Sequence, residues 1–120
     1  MSSQLKLETP HDVYDKLVRE SEKLDEDFCC DHFFNFMTTA FYLAESLKKS
    51  PVSSSATVER LISKLKKDKF FNIATNLSKG KKSFSLNENG ILIMDDEFYN
   101  AKDIKAELLE QFESYFRTKG

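Results

Sequence analysis

The stretch from Asp27 to Lys49, DFCCDHFFNFMTTAFYLAESLKK, constrains the fold of this chain more than any other. Phe33, Phe36, Met37, Ala40, Phe41, Leu43, Ala44 and Leu47 recur at spacings of three and four. On a helix that spacing gives an apolar face wider than the stripe of an ordinary surface helix. Leaving such a face in water costs roughly 1.5 to 3 kcal/mol for each large side chain, so other segments must wrap the helix on more than one side. The remaining strip carries Asp31, Asn35, Thr38, Tyr42 and Glu45. It reads as a solvated or hydrogen-bonded helix face. With His32 and Asn76 added, the same strip is also the place where a small polar pocket could form, through Asn35 and Tyr42.

The segments needed for wrapping are present. Thr9 and Pro10 make an N-cap and first-turn pair for a helix running to about Glu26, with Val13, Leu17 and Leu24 as its stripe and Asp12, Asp15, Glu20, Glu22 and Asp25 facing water. Ser50 and Pro51 stop the central helix, and Pro51 to Ser55 is a loop. Val58, Leu61, Ile62 and Leu65 predict a helix to about Lys66. Phe70, Phe71, Ile73, Ala74 and Leu77 predict another to about Lys79, with Asp68 as its cap and Gly80 as its stop. After Gly80 the period changes to alternation. Phe84 and Leu86, the turn Asn87-Glu-Asn-Gly90, and Ile91 to Met94 predict a small β-hairpin over 82–95, which Asp95, Asp96 and Glu97 end. A last helix over 101–118, capped by Asp103, carries Ile104, Leu108, Leu109, Phe112, Tyr115 and Phe116. A two-stranded ribbon is marginal alone and must lie against the helices.

A chain of 120 residues has room for one core, so residues 1–120 are expected to form a single domain: a loose arm over 1–8, helices over 10–79, the hairpin, and the last helix. The fold class is mainly α, a four- to five-helix bundle with one small hairpin. No apolar run approaches the ~20 residues of a membrane span. The opening MSSQLKLETP holds no apolar export segment. A cytoplasmic protein without membrane contact is expected, and the adjacent Cys29 and Cys30 are expected as free thiols rather than a strained vicinal disulfide.

Net charge is −2, but its distribution is uneven. Seven lysines against Asp68 give +6 from Lys64 to Lys82, and eight acids against Lys102 and Lys105 give −6 from Glu88 to Glu113. Such asymmetry can steer a partner or pair two copies. Lys66, Lys67, Lys79, Lys81 and Lys82 are therefore the candidate partner-binding residues. The same lysines could contact nucleic-acid phosphate, but the near absence of arginine and the acidic C-terminal segment favour the protein-binding reading.

Chemistry is sparsely provided. The chain has two histidines, His11 and His32, and three glycines, none in a phosphate-binding loop. Cys29, Cys30, Asp31 and His32 are neighbours, but consecutive helical residues point in different directions and structural zinc usually takes two separated ligand pairs. No metal, no cofactor and no catalytic residue is assigned from sequence.

Two stretches carry a family resemblance. Phe33-Phe-Asn-Phe-Met-Thr-Thr-Ala-Phe-Tyr-Leu43 resembles a helix motif, approximately FFNFFVTAWHL, of a group of small bacterial and phage proteins. Asn72-Ile-Ala-Thr-Asn-Leu-Ser-Lys-Gly-Lys-Lys-Ser-Phe84 resembles their second motif, approximately DIANGSKHF. The group looks like a branch of the HEPN-type helical bundles. The resemblance implies a HEPN-like bundle, dimer formation and a role in phage defence, anti-defence or toxin–antitoxin systems. HEPN ribonucleases carry an Arg-x4-6-His motif, and none of Arg19, Arg60 and Arg117 is followed by histidine at that spacing. The expected function is non-enzymatic protein binding or self-association. A ribonuclease with a non-standard site around Asn35, His32, Tyr42 and Asn76, and a nucleic-acid module using Lys64 to Lys82, remain the alternatives. In the resembling motifs Asn35, Asn76 and Lys79 are expected to tie the hairpin to the bundle by buried hydrogen bonds.

Overall fold

In the computed structural model the described residues are 9–49, 56–80, 84–94 and 96–119. The expected arm over 1–8, the loop from Pro51 to Ser55, and Lys81 and Lys82 lie outside them. Five helices and three strands follow in the order α1 (Pro10–Glu26), α2 (Cys30–Lys49), α3 (Ala56–Lys67), α4 (Lys69–Ser78), β1 (Ser85–Leu86), β2 (Ile91–Met94), β3 (Glu97–Asn100) and α5 (Ala101–Lys119). The mainly helical bundle with a small sheet ahead of the last helix is the architecture the periodicities predict.

Helix α2 is the axis. It contacts all four other helices, and Phe33, Phe36, Met37, Ala40, Leu43, Ala44 and Leu47 are buried. Phe41 is half-buried, its ring stacked on that of Phe71 in α4 at 6.4 Å. The local signals explain the boundaries. Thr9 Oγ1 accepts from the Asp12 N–H at 3.1 Å at the start of α1, and Asp68 Oδ1 accepts from the Phe70 N–H at 2.7 Å where α4 begins, so α3 and α4 are separate helices. Gly80 takes φ +68°, the left-handed conformation that ends a helix cheaply only at glycine. Tyr14 of α1 stacks on Phe116 of α5 at 4.5 Å, closing the bundle on the far side.

One prediction about α1 is corrected. Glu20, expected to face water, is buried. Lys16 Nζ donates to Glu20 Oε2 at 3.0 Å and to Thr39 Oγ1 of α2 at 3.3 Å. A polar clasp therefore crosses the α1–α2 seam, and Thr39 is buried with it. Phe28 follows the end of the helix and packs beside Gly90.

The hairpin is present and gains a third strand. The sheet has the order β1-β2-β3, antiparallel throughout. Glu97 to Asn100, expected to follow the hairpin without structure, pairs with β2 in the register Met94↔Glu97, Leu92↔Tyr99 and Ile91↔Asn100. Asp96 adopts φ +64° in the connection. Strand β3 also moves the cap of the last helix. Asn100 Oδ1, rather than Asp103, accepts from the Lys102 and Asp103 N–H groups at 3.0 and 3.2 Å. In the β1–β2 turn the Gly90 N–H donates to the Asn87 carbonyl at 3.0 Å, and Gly90 sits at φ +82°, a three-residue hairpin loop that needs glycine at its last position.

Candidate functional site

Alternation sorts the sheet into two faces. Leu92 and Met94 are buried, and their cross-strand partners Leu86, Tyr99 and Glu97 share that inner side. The inner face is anchored at three points. Phe84, just before β1, meets Phe33 of α2 at 6.2 Å. The ring of Tyr99 meets Phe70 of α4 edge-on at 6.4 Å. The Ala101 N–H donates to the Gly90 carbonyl at 2.9 Å, joining the first turn to the start of α5.

The outer face carries Ser85, Ile91, Ile93, Phe98 and Asn100. Ile93 and Phe98 are cross-strand partners, and Phe98 is 69 % exposed, the most open large apolar side chain among the described residues. The turns at the two ends of this patch carry exposed acids, Glu88 and Asp96. At the β1 side Phe34 of α2, 39 % exposed, lies parallel to Phe84 at 6.2 Å. Phe98 stands beside Ile91 and Ile93 on the same face, so the exposed ring is part of a contiguous apolar strip, and contiguous exposed apolar surface is what marks an interaction site. The acids at its ends make that surface a poor seat for a polyanion.

The polar strip of α2 falls where its spacing places it, but it does not enclose a site. Asn35 and Tyr42 are exposed, and Thr38 Oγ1 donates back to the Asn35 carbonyl at 3.1 Å. Glu45 pairs with Lys48 at 2.9 Å. His32 is half-buried and Asn76 is half-buried on α4. Among the described residues no side-chain hydrogen bond joins Asn35, Tyr42, His32 and Asn76 to one another. The expectation that Asn35 ties the sheet to the bundle by a buried bond is corrected, because its amide stands in water. Aromatic packing through Phe84 and Tyr99 performs that tie instead.

The lysines divide into two groups. Lys66 and Lys67 are exposed in the last turn of α3, and Lys79 is exposed at the end of α4, its Nζ 5.9 Å from the Phe41 ring centroid. The ten residues of α4 stand between them, a rise of roughly 15 Å. Asp68 within this basic stretch meets the acidic helix directly. Gln111 Nε2 of α5 donates to Asp68 Oδ2. The Asp68 carboxylate, by hydrogen bonding, raises the pKa of Glu107 above its ordinary range; burial and the charges of Asp68 and Glu110 add to this, and Lys69 opposes it. Basic and acidic segments therefore abut at this seam.

One group of potential metal ligands gathers among the described residues: Asp27, Cys29 and His32, where α1 passes into α2. The sequence argument against a metal rested on consecutive helical residues pointing apart and on the two separated ligand pairs usual for structural zinc; the structure bears on the first reason. Only His32 of these three lies within the helix, which begins at Cys30.

Comparison with known proteins leaves the fold and site to speak for themselves: no family model, no curated protein and no solved structure matches the chain. No helix among the described residues is long and apolar enough to cross a membrane.

Proposed function

We propose that this chain is a non-enzymatic protein-binding domain that self-associates through the outer face of its sheet. The observation that carries the reading is Phe98, 69 % exposed opposite Ile93 on an ordered antiparallel pair. A two-fold pairing of two such faces sets the Phe98 ring of each copy over the Ile91 and Ile93 side chains of the other, the self-complementary contact a closed dimer requires. The face lies in the Glu88–Glu113 segment, whose charges sum to −6, so pairing of two copies is opposed by like charge at low salt and strengthens as salt rises. A standard interface buries about 800 Å² on each side, so the patch forms its apolar centre, with Ser85, Asn100 and the acidic residues as its polar rim. The exposed Lys66 and Lys67 supply the complementary charge for a further, acidic partner and act mainly on the rate of association. A setting in a bacterial or phage conflict system and kinship with HEPN-like bundles rest on the motif resemblance of α2 and α4, and a cytoplasmic location, which the two free cysteines fit, belongs to the same proposal.

Sedimentation velocity over roughly 1 to 100 μM, the range of ordinary self-association, tests the reading. The wild type is expected to move from monomer to dimer across that range. Phe98→Asp is expected to stay monomeric with unchanged helical circular dichroism. A wild type that stays monomeric at the highest concentration, or a Phe98→Asp variant that dimerises as the wild type does, overturns it.

A further inference from the structure

Asp27, Cys29 and His32 bring three different ligand chemistries to the α1–α2 junction: a carboxylate oxygen, a sulfur and a ring nitrogen, all within 4.8 Å of one another. The backbone there is held from both sides. The Asp27 N–H donates to the Lys23 carbonyl at 2.9 Å, ending α1, and the Phe33 N–H donates to the Cys29 carbonyl at 3.0 Å, opening α2. Asp27 itself is extended, at φ −144° and ψ 92°. That break in helical geometry allows residues 27, 29 and 32 to converge.

The imidazole is also oriented. His32 Nδ1 lies 2.9 Å from the Asp27 carbonyl oxygen. A carbonyl only accepts, so in this contact Nδ1 carries the proton and Nε2 the lone pair. A backbone carbonyl bonded to one ring nitrogen is the arrangement that fixes a histidine's tautomer for metal binding. The neighbouring thiol is directed elsewhere. Cys30 Sγ lies 3.9 Å from the Leu86 carbonyl on β1, so the two adjacent cysteines serve different surroundings, and Cys30 does not join the group.

We propose that this junction binds one Zn²⁺ through Asp27, Cys29 and His32, with the fourth position open to water. Bonds of about 2.0 to 2.3 Å in tetrahedral array place ligand atoms roughly 3.3 to 3.8 Å apart. The observed group, whose ligand atoms lie within 4.8 Å for one ring nitrogen of His32, is wider than this, so side-chain rotation draws the ligands together on binding. A thiolate and an imidazole among three ligands select zinc over magnesium or calcium, which take oxygen donors. On binding, the Cys29 thiol passes its proton to solvent and the sulfur forms the metal bond. The thiolate and the Asp27 carboxylate then balance the charge of the ion. The bound metal fastens the end of α1 to the start of α2, so it stabilises the fold.

Titration of the reduced, metal-free full chain with Co²⁺ tests the proposal, followed by displacement with Zn²⁺. One equivalent is expected to give thiolate-to-cobalt charge-transfer absorption and tetrahedral visible bands, both abolished by zinc. Cys29→Ser is expected to remove the charge-transfer band and weaken binding by more than about tenfold, whereas Cys30→Ser leaves both unchanged. Zinc is expected to raise the melting temperature of the wild type and of Cys30→Ser, but not of His32→Ala, which gives the same reading should Cys29→Ser fail to fold. Absence of saturable uptake near one equivalent overturns the proposal. Equal losses in Cys29→Ser and Cys30→Ser overturn it as well, since they indicate unselective thiol binding.

Discussion

Replacing Phe36 with alanine removes a ring with no measurable exposure, placed on α2 where the other helices converge. Burying a phenylalanine side chain contributes roughly 1.5 to 3 kcal/mol, an upper figure because the denatured chain is itself partly compact. The void left behind adds to the cost because neighbours on several sides cannot all collapse into it, which brings the expected loss to about 3 to 5 kcal/mol. Urea denaturation followed by circular dichroism at 222 nm reads this out. With a slope of roughly 1.5 kcal/mol per molar urea, the midpoint falls by about 2 to 3 M. Phe98→Ala is the matched control: the same chemical change at a side chain in solvent moves stability by less than about 0.5 kcal/mol. A Phe36→Ala loss below ~1 kcal/mol, or one equal to that of Phe98→Ala, refutes the assignment of buried and open faces on which both the fold and the proposed surface depend.

Two further outcomes follow from single residues. Glu107 has its pKa raised by Asp68, so the folded chain binds that proton more readily than the unfolded one. The contribution is present below the ordinary glutamate value of about 4.3 and is lost as pH rises through the raised folded value. Glu107→Gln is therefore expected to raise the melting temperature at pH 7, the gain shrinking to nothing near pH 4 in a scanning-calorimetry series; a gain that persists at pH 4 contradicts the Asp68 contact as its cause. Gly90→Ala is expected to cost about 1 to 2 kcal/mol in urea denaturation, because φ +82° disfavours any Cβ. Its Cβ would meet Phe28 at an ordinary 3.7 Å, so a larger loss points to packing rather than backbone strain.

The helices were legible because their apolar residues repeat at three and four and their ends carry chemical signals: Thr9 before Pro10, Asp68 before Phe70, Gly80 after Ser78. Strand β3 was not. Its four residues follow Asp95 and Asp96, and a run of acids reads as an ending, whereas Asp96 accommodates the positive φ of a tight turn and Phe98 and Tyr99 then alternate outward and inward. The proposed surface was missed for the same reason, since Phe98 acquires a face only once β3 has a register. The exposed side of the polar strip was legible as a solvated helix face, but no periodicity reveals that Asn35 stands clear of the sheet. Glu20 was misread because its charge marks it for water, while the bond to Lys16 and the reach of Lys16 to Thr39 depend on how α1 lies along α2. The convergence of Asp27, Cys29 and His32 depends on α2 beginning at Cys30, a boundary that the sequence DFCCDHFF does not mark with a capping serine or threonine.

Native-state hydrogen exchange, resolved by residue, tests most directly whether α2 is the enclosed axis and the sheet a peripheral bearer of the binding surface. Amides of α2 from Phe36 to Leu47 are expected to exchange only through global unfolding, with the full denaturant dependence of the chain. Those of β1 and β3 are expected to exchange through local opening at lower free energy, and to slow as concentration drives association. Exchange in α2 as fast as in β3, with no change in the sheet across the association range, contradicts the account.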